Sequence, residues 1–490
     1  MVTRRRSALS DTINQSADTE PTAATELRRV LRLRDLVWFY VVGVVGMRWV
    51  AVAAAAGPSS LVIWVIGAVA LFVPLAFTVL ELSSRYPQEG GIYVWTKQAF
   101  GDFTGFITGW TYWGSNLSYL PGLLYFAAST ALYIFGPRFA YLQNSGTYFI
   151  VVSLVGLALA AALNIAGLQF GKWLTNIGAF CLWIPMAVLI VMGFMAAAKF
   201  GPATAITRHS LTPSVGIKDM IFWATLAFGY SGLEAGSFMG EEIENPRRTV
   251  PRAVLIAGVI IPAIYILGTL AILLALPTGQ ITGLQGIMDA IVRTGDRVGV
   301  AGLGPFAAVL IVVSTMGGVG VWLSAPARLP FVAGIDHYLP RSFGKLHPRY
   351  NTPYVALLLQ AGVAAFCAVL GQAGETPKKA YDILVSLGII AYFLPYLTMF
   401  PAMIRLQREP AGPEVMRVPG GKPVAILCGV VGFMTSAVAI VLAAIPPADE
   451  PHPQRFVFKV VGLSVLLVVA GAGTYAVGRR RAARRAVRPR

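Results

Sequence analysis

The sequence predicts an all-α membrane protein of twelve transmembrane helices, with the first and sixth helices broken near mid-span. Three observations carry that prediction. The 490 residues are 56% hydrophobic and only 12% charged, where a soluble domain carries about 25% charged residues. Apolar stretches of about 20 residues, enough to cross ~30 Å of hydrocarbon, recur along the whole chain. The 39 Lys and Arg residues fall almost entirely between those stretches, and unequally on the two sides. At ~150 residues per domain the length alone suggests three domains; the apolar content points instead to one membrane body.

The predicted spans are 36–56, 60–82, 103–135, 146–166, 173–198, 218–239, 252–276, 301–327, 353–371, 381–403, 422–445 and 457–477. The third contains Pro121-Gly122, which predicts a tilt or a kink. Segment 285–297 carries Asp289, Arg293, Asp296 and Arg297 and reads as a short surface helix. Glu81 closes the second span and reads as interfacial. No cleavable signal is expected: the first 35 residues are polar, and the first apolar run is too long and too late for a signal core.

Basic residues set the orientation. With the N-terminus in the cytoplasm, and with Lys218, Arg252, Lys422 and Lys459 at the span ends counted to the adjoining loops, the tails and inside loops hold 28 Lys and Arg, the outside loops hold ten, and Arg48 alone lies deep within a span. This bias predicts a multi-pass protein of the cell (inner) membrane with both termini cytoplasmic. The net charge of +17 is thereby explained by topology. The basic run Arg479–Arg490 directly follows a span, where such runs hold the helix end against anionic lipid. The lipid bilayer, and no nucleic acid, is the expected large partner. Cys181, Cys367 and Cys428 have no paired spacing, and His209, His337, His347 and His452 fall in polar segments. Neither a disulfide framework nor a metal site is expected, and no cofactor.

Two spans carry matching interruptions. The first contains Gly43-Val44-Val45-Gly46 and the sixth Gly229-Tyr230-Ser231-Gly232. Each opens a set of five spans, and five is odd, so the second set inserts inverted. Glycine-interrupted spans at corresponding places in two halves point to a transporter's binding site, because unwound backbone offers free N–H and C=O groups. Single glycine pairs more often serve close helix packing; their correspondence favours transport. Arg48 and Glu234 each lie two positions beyond the second glycine of a break. At that depth an ionisable group needs a partner or a water-filled cavity.

The loops then carry a family resemblance. The run Glu241-Glu242-Ile243-Glu244-Asn245-Pro246-Arg247-Arg248-Thr249-Val250-Pro251-Arg252-Ala253 resembles the E-x-x-x-N-P-x-R-x-x-P-x-A loop after helix 6 of amino acid–polyamine–organocation (APC) permeases. Phe228-Gly229-Tyr230-Ser231-Gly232-Leu233-Glu234 is similar to their broken sixth helix. Arg85 through Tyr93, with Pro87, Gly90 and Gly91, matches the Pro-x-x-Gly-Gly loop after helix 2. Arg328, Asp336, Pro340, His347-Pro348 and Thr352-Pro353 resemble the loop after helix 8. These motifs cover helices 1 to 9 in the family's order.

The resemblance implies a LeuT-like 5+5 inverted repeat, alternating access, and secondary active transport of amino acids or related amines as a permease or antiporter, not an enzyme. It divides the chain into a cytoplasmic tail (1–35), a transport core (36–403, repeats about 36–198 and 218–403), accessory helices (422–477) and a basic cytoplasmic tail (478–490). It places substrate at Gly43, Val44, Val45, Gly46, Met47 and Arg48, and at Phe228, Gly229, Tyr230, Ser231 and Gly232. The first break would hold the carboxylate and the sixth the amino group. It implies gating by Phe228 and gating or proton sensing by Glu234, and puts Trp322 against the substrate. On the third helix, Trp113 and Asn116 are expected wall residues because polar and aromatic groups there need a cavity or partner.

One departure stands out. Family members commonly read Gly-Ser/Thr-Gly at the first break, and here the run is Gly46-Met47-Arg48. Arg48 either grips a carboxylate bidentately or pairs with Glu234 across the two breaks. The coupling ion stays open between proton and sodium, as does substrate exchange. Ser314 and Thr315 offer hydroxyls to a sodium ion, though such groups more often bond back to their own helix, and Lys172 stands only at the edge of the fifth span. A multispan enzyme or a channel is the alternative. Catalysis needs acid, base or nucleophile groups within reach of one another, and the spans hold no histidine and few carboxylates.

Overall fold

A computed structural model describes residues 27, 29–280, 285–372, 377–446 and 453–486. Most of the expected N-terminal tail (1–26 and 28) and the last four residues of the basic tail (487–490) lie outside the described residues. Among the described residues the elements are helical, and the one β-type pairing is an isolated bridge between Leu31 and Ile243.

The first span is two helices, α1 (Leu33–Val44) and α2 (Met47–Ala56), bent by 42° at the break. Next comes α3 (Ser59–Arg85), which widens to a π-helical turn over Ala68–Phe72. Pro74 explains the widening. It has no N–H to give the carbonyl of Ala70, and its ring crowds that carbonyl. In a membrane the freed group needs another donor, and the Thr435 hydroxyl supplies it at 2.9 Å.

A short helix, α4 (Ile92–Phe100), precedes α5 (Asp102–Phe135). The latter is one 34-residue helix running through Pro121. At 1.5 Å per residue it is ~51 Å long, well beyond the bilayer core, so tilt rather than a break accommodates it. Then follow α6 (Gly146–Ile165), α7 (Leu168–Phe200), α8 (Ile217–Gly229), α9 (Pro246–Ala275), α10 (Gly286–Val298) and α11 (Leu303–Ser324). The chain continues as α12 (Arg328–Ile335), α13 (Tyr354–Gln372), α14 (Pro377–Phe393), α15 (Tyr396–Leu406), α16 (Gly421–Ala443) and α17 (Pro453–Ala486).

Among the described residues ten helices are long and apolar enough to cross a membrane, and the bent pair α1–α2 makes an eleventh. The predicted sixth span, 218–239, is not one continuous helix. Its helical part ends at Gly229 after 13 residues, and the chain resumes as a 3-10 turn over Ala235–Glu242. Thirteen residues rise only ~20 Å, so this element crosses the membrane core only together with its break. The C-terminal boundary also moves, since α17 carries the expected tail residues Arg479–Ala486 as further helix.

The burial pattern is inside-out. Val69, Phe180, Phe366, Leu466 and Val469 are exposed around the outside, while Glu234, Asn116, Arg328 and Gln360 are buried within. A soluble protein does the reverse; a lipid-facing wall around a polar interior is a multi-pass membrane protein. Glu81, expected at the interface, is buried: Arg85 (2.9 Å), Gln407 (2.7 Å) and the Val418 amide (3.1 Å) all donate to its carboxylate.

Candidate functional site

The two breaks meet at one tyrosine. After Val44, residues Val45 (φ −71°, ψ 96°) and Gly46 (φ −89°, ψ 105°) are extended. In the second break Gly232 takes φ +124°, a conformation L-residues avoid; an added Cβ would also lie 3.0 Å from Trp322 and from Val44. Between the breaks stands the Tyr265 hydroxyl, from α9. It accepts from the Gly46 amide at 3.0 Å and lies 2.7 Å from the Val44 carbonyl and 2.9 Å from that of Gly229. Its single proton serves one carbonyl at a time. Trp64 stacks on the Tyr265 ring at 4.3 Å, and its own indole N–H donates to Thr269.

Beside the first break lies a small cavity of about 30 Å³, room for little more than a water. Gly43, Val45, Gly46, Met47 and Arg48 line it, with Tyr119 and Leu123 of α5 and Ser314, Thr315 and Trp322 of α11. The Trp322 indole donates to the Gly43 carbonyl at 2.9 Å, and Gln360 holds the Trp322 carbonyl at 2.8 Å. Phe228 packs edge-on against Trp49, Tyr119, Tyr392 and Phe393. Thr315 donates back to Ile311 at 2.7 Å, the local bond expected of a helical hydroxyl.

Aromatic residues surround both charged residues beside the breaks. The Glu234 carboxylate is fully buried, with Tyr112 (2.6 Å) and Tyr392 (2.5 Å) at Oε1 and Tyr396 (2.8 Å) at Oε2. The Tyr112 and Tyr392 hydroxyls are themselves 2.5 Å apart. Arg48 instead sets its guanidinium carbon 4.5 Å from the Trp49 ring centre and 5.2 Å from that of Tyr119. Phenolic donors thus stand on the acid and aromatic faces beside the base. Each environment helps keep an ionisable group inside the protein.

The end of the molecule that carries Val30 and Leu31 is tightly closed. Arg328 donates to Glu242 through Nε (3.1 Å) and Nη2 (2.8 and 2.9 Å), and to the Ser324 carbonyl at 2.6 Å. Glu89 lies 3.8 Å from the same guanidinium and accepts from the Glu241 amide at 3.0 Å. Burial first, and then the Glu242 charge, push the Glu89 carboxyl well above the usual carboxylate range, against the pull of Arg328. The Gly90 amide reaches the Phe238 carbonyl at 3.0 Å, and a Cβ on Gly240 would stand 2.1 Å from the Pro87 carbonyl. The Val30 and Leu31 amides donate to the Glu242 carbonyl, Arg32 pairs with Glu244, and Lys172 pairs with Asp35 at 3.0 Å. Lys97 meets Asp336 at 2.7 Å.

The expected site residues divide. Gly43, Val45, Gly46, Met47, Arg48 and Trp322 surround the cavity, as do Ser314 and Thr315. Tyr230 turns away, edge-on to Trp64 and Tyr265. Ser231 donates to the Phe228 carbonyl at 2.6 Å. Trp113 lies in a different crevice with Tyr93, Trp110 and Leu329, and the Asn116 amide bonds back to Tyr112 at 2.8 Å. On α5 the cavity wall is Tyr119, Leu123 and Phe126, one to three turns further along. Tyr265 and the three tyrosines around Glu234 were missed. A lone tyrosine in an apolar span carries no motif, and only the fold brings Tyr112, Tyr392 and Tyr396 together.

The sequence model of the amino acid permease family matches residues 31–468. The chain is 28% identical to an uncharacterised transporter of Legionella pneumophila over 90% of this chain and 95% of the relative. It is 24% identical to a probable agmatine/putrescine antiporter of Lactococcus lactis, covering 81% and 84% of the two chains. Similarity to a serine/threonine exchanger of Bacillus subtilis is 26% over 73% and 79%. The chain thus belongs to the amino acid permease family of the APC superfamily and is a multi-pass membrane transporter, not an enzyme.

Proposed function

We propose that this protein is a secondary active transporter, permease or antiporter, of amino acids or related amines, working by alternating access. The observation that carries the proposal is the Tyr265 hydroxyl joining both breaks beside a cavity walled by the first. In this reading the core is a LeuT-like inverted repeat, about 36–198 and 218–403, with 422–477 as accessory helices. Substrate lies between the two breaks, Tyr119 and Trp322, with Phe228 closing over it. A cavity of about 30 Å³ cannot hold an amino acid, so the walls part during the cycle. The ion pairs at the N-terminal end are the closed inner gate, and both termini are cytoplasmic. Relatives named for agmatine/putrescine antiport and serine/threonine exchange bracket the substrate class.

Purified protein in liposomes, offered a radiolabelled amino-acid and amine panel, tests this directly. Saturable uptake with counterflow is expected. Flux without counterflow indicates a channel, and no flux of any panel member defeats the reading.

A further inference from the structure

We infer that the cavity between α5, α10 and α11 is a second ligand site, for an organic amine with an apolar body. It lies at the end of the molecule opposite the closed gate, and filling it slows transport. The effect on transport rests on the reading above; the occupancy does not.

The helix ends fix where this cavity lies. Lys97 and Asp102 stand at the start of α5 and Arg328 follows the end of α11, all at the gate end. The cavity is lined instead by Leu132 and Tyr133 from the last turn of α5 and by Leu303, the first residue of α11. Val292 and Asp296 of α10 and the 3-10 turn Pro137–Asn144 complete the walls. Its volume of about 370 Å³ far exceeds the space beside the first break, and small-molecule sites run from roughly 300 to 1,000 Å³. The walls are largely apolar, and Asp296 is, among the described residues, the one charged side chain in them.

That carboxylate is exposed, and among the described residues no donor or basic group meets it. Its neighbours are committed elsewhere. Tyr133 donates to Asp289 at 2.6 Å, and Arg297 donates to the Ala275 carbonyl and lies over Phe200. Asp296 also stands in the last turn of α10, where the helix's own partial negative charge disfavours an acid. An ammonium group there relieves that repulsion and makes a charge-assisted hydrogen bond. An apolar body on the same molecule leaves water for the rest of the cavity. An anion is repelled at the same point, and a neutral apolar molecule gains burial alone.

The link to transport is packing. The helix α10 rests against α2, the second half of the broken first span. Tyr133 on Asp289, and Gln143 on Gln285 at 3.2 Å, already strap α5 and the turn after it to α10. A ligand filling the space between them adds to those straps, and so opposes the movement of α2 that opens the substrate cavity.

The test uses the full-length protein and adamantylamine, with adamantanol and adamantane carboxylate as its neutral and anionic counterparts. The amine should raise the unfolding temperature of the purified protein at a concentration at least about tenfold lower than either counterpart. In liposomes it should lower the maximal rate of uptake at least about threefold and leave KM within about twofold. Asp296→Asn should need at least about tenfold more amine for the same thermal shift and the same inhibition. Ala140→Trp, in the exposed turn, fills the cavity and should abolish both responses. Equal potency of the alcohol overturns the inference, as does the absence of both shift and inhibition. Competitive inhibition that Asp296→Asn leaves unchanged also overturns it, because the amine then acts between the breaks. If nothing in the transport panel is moved, the transport reading fails, and the thermal shifts still decide whether the site exists.

Discussion

The Tyr265 hydroxyl lies 2.9 Å from the carbonyl oxygen of Gly229 and itself accepts the amide proton of Gly46 at 3.0 Å. One atom on α9 thus ties the broken helices together at the depth where each leaves helical geometry. Any motion that separates the breaks must exchange these hydrogen bonds for others.

Tyr265→Phe should therefore keep the ring on Trp64 while orphaning the Gly46 amide. A buried donor without a partner costs about 1–3 kcal/mol. The expected outcome is a modest fall in unfolding temperature in detergent, with transport reduced at least about tenfold because the breaks are no longer held in register. Unchanged transport would remove Tyr265 from the mechanism.

Around Glu234, the acceptor matters more than any single donor. Tyr396→Phe leaves Oε2 short of one hydrogen bond and should cost about 1–3 kcal/mol. Glu234→Leu removes the shared acceptor of Tyr112, Tyr392 and Tyr396, leaving only the Tyr112–Tyr392 contact among them, and should cost more than Tyr396→Phe. Thermal unfolding of both variants checks the order.

The Arg328–Glu242 pair predicts coupling. Both side chains are almost fully buried, and removing one partner of a buried pair costs about 3–5 kcal/mol because the other charge is stranded. Arg328→Ala should be severely destabilised, and adding Glu242→Ala should recover part of the loss. Strict additivity in the cycle would show that the two do not act as a unit.

Glu89 gives a pH dependence with a definite sign. Its folded carboxyl binds a proton more tightly than the unfolded chain does, owing to burial and the Glu242 charge. The stability this contributes is complete below the unfolded value, near 4.5, and is lost as pH rises through the higher folded value. Glu89→Gln stays neutral throughout. Its unfolding temperature should decline less than that of the wild type as pH rises from about 4.5 towards neutrality, and parallel curves would refute the assignment.

Much of this was legible in the sequence because it is local. Hydropathy, glycine spacing and the Asn245-Pro246 and Gly90-Gly91 loops are read from neighbouring residues. Where the reading went astray, the answer depended on distant partners. Glu81 was legible only as the end of a span, and its partners Gln407 and Val418 lie far along the chain. Trp113 and Asn116 were favoured for their polarity, but the tilt and rotation of α5 present Tyr119 and Leu123 to the cavity instead.

Bilayer energetics are strong enough that composition alone commits this chain to membrane helices, and glycine's backbone freedom marks where two of them break. Partner choice is another matter. Arg48 and Glu234 sit at matching positions and carry opposite charge, a pattern that leaves both a pair and a substrate contact open for Arg48. Packing brought three phenols to the acid and two aromatic faces to the base. A hydrogen bond depends on distances of a few tenths of an ångström, and those are set only when helices separated by hundreds of residues come to rest against one another.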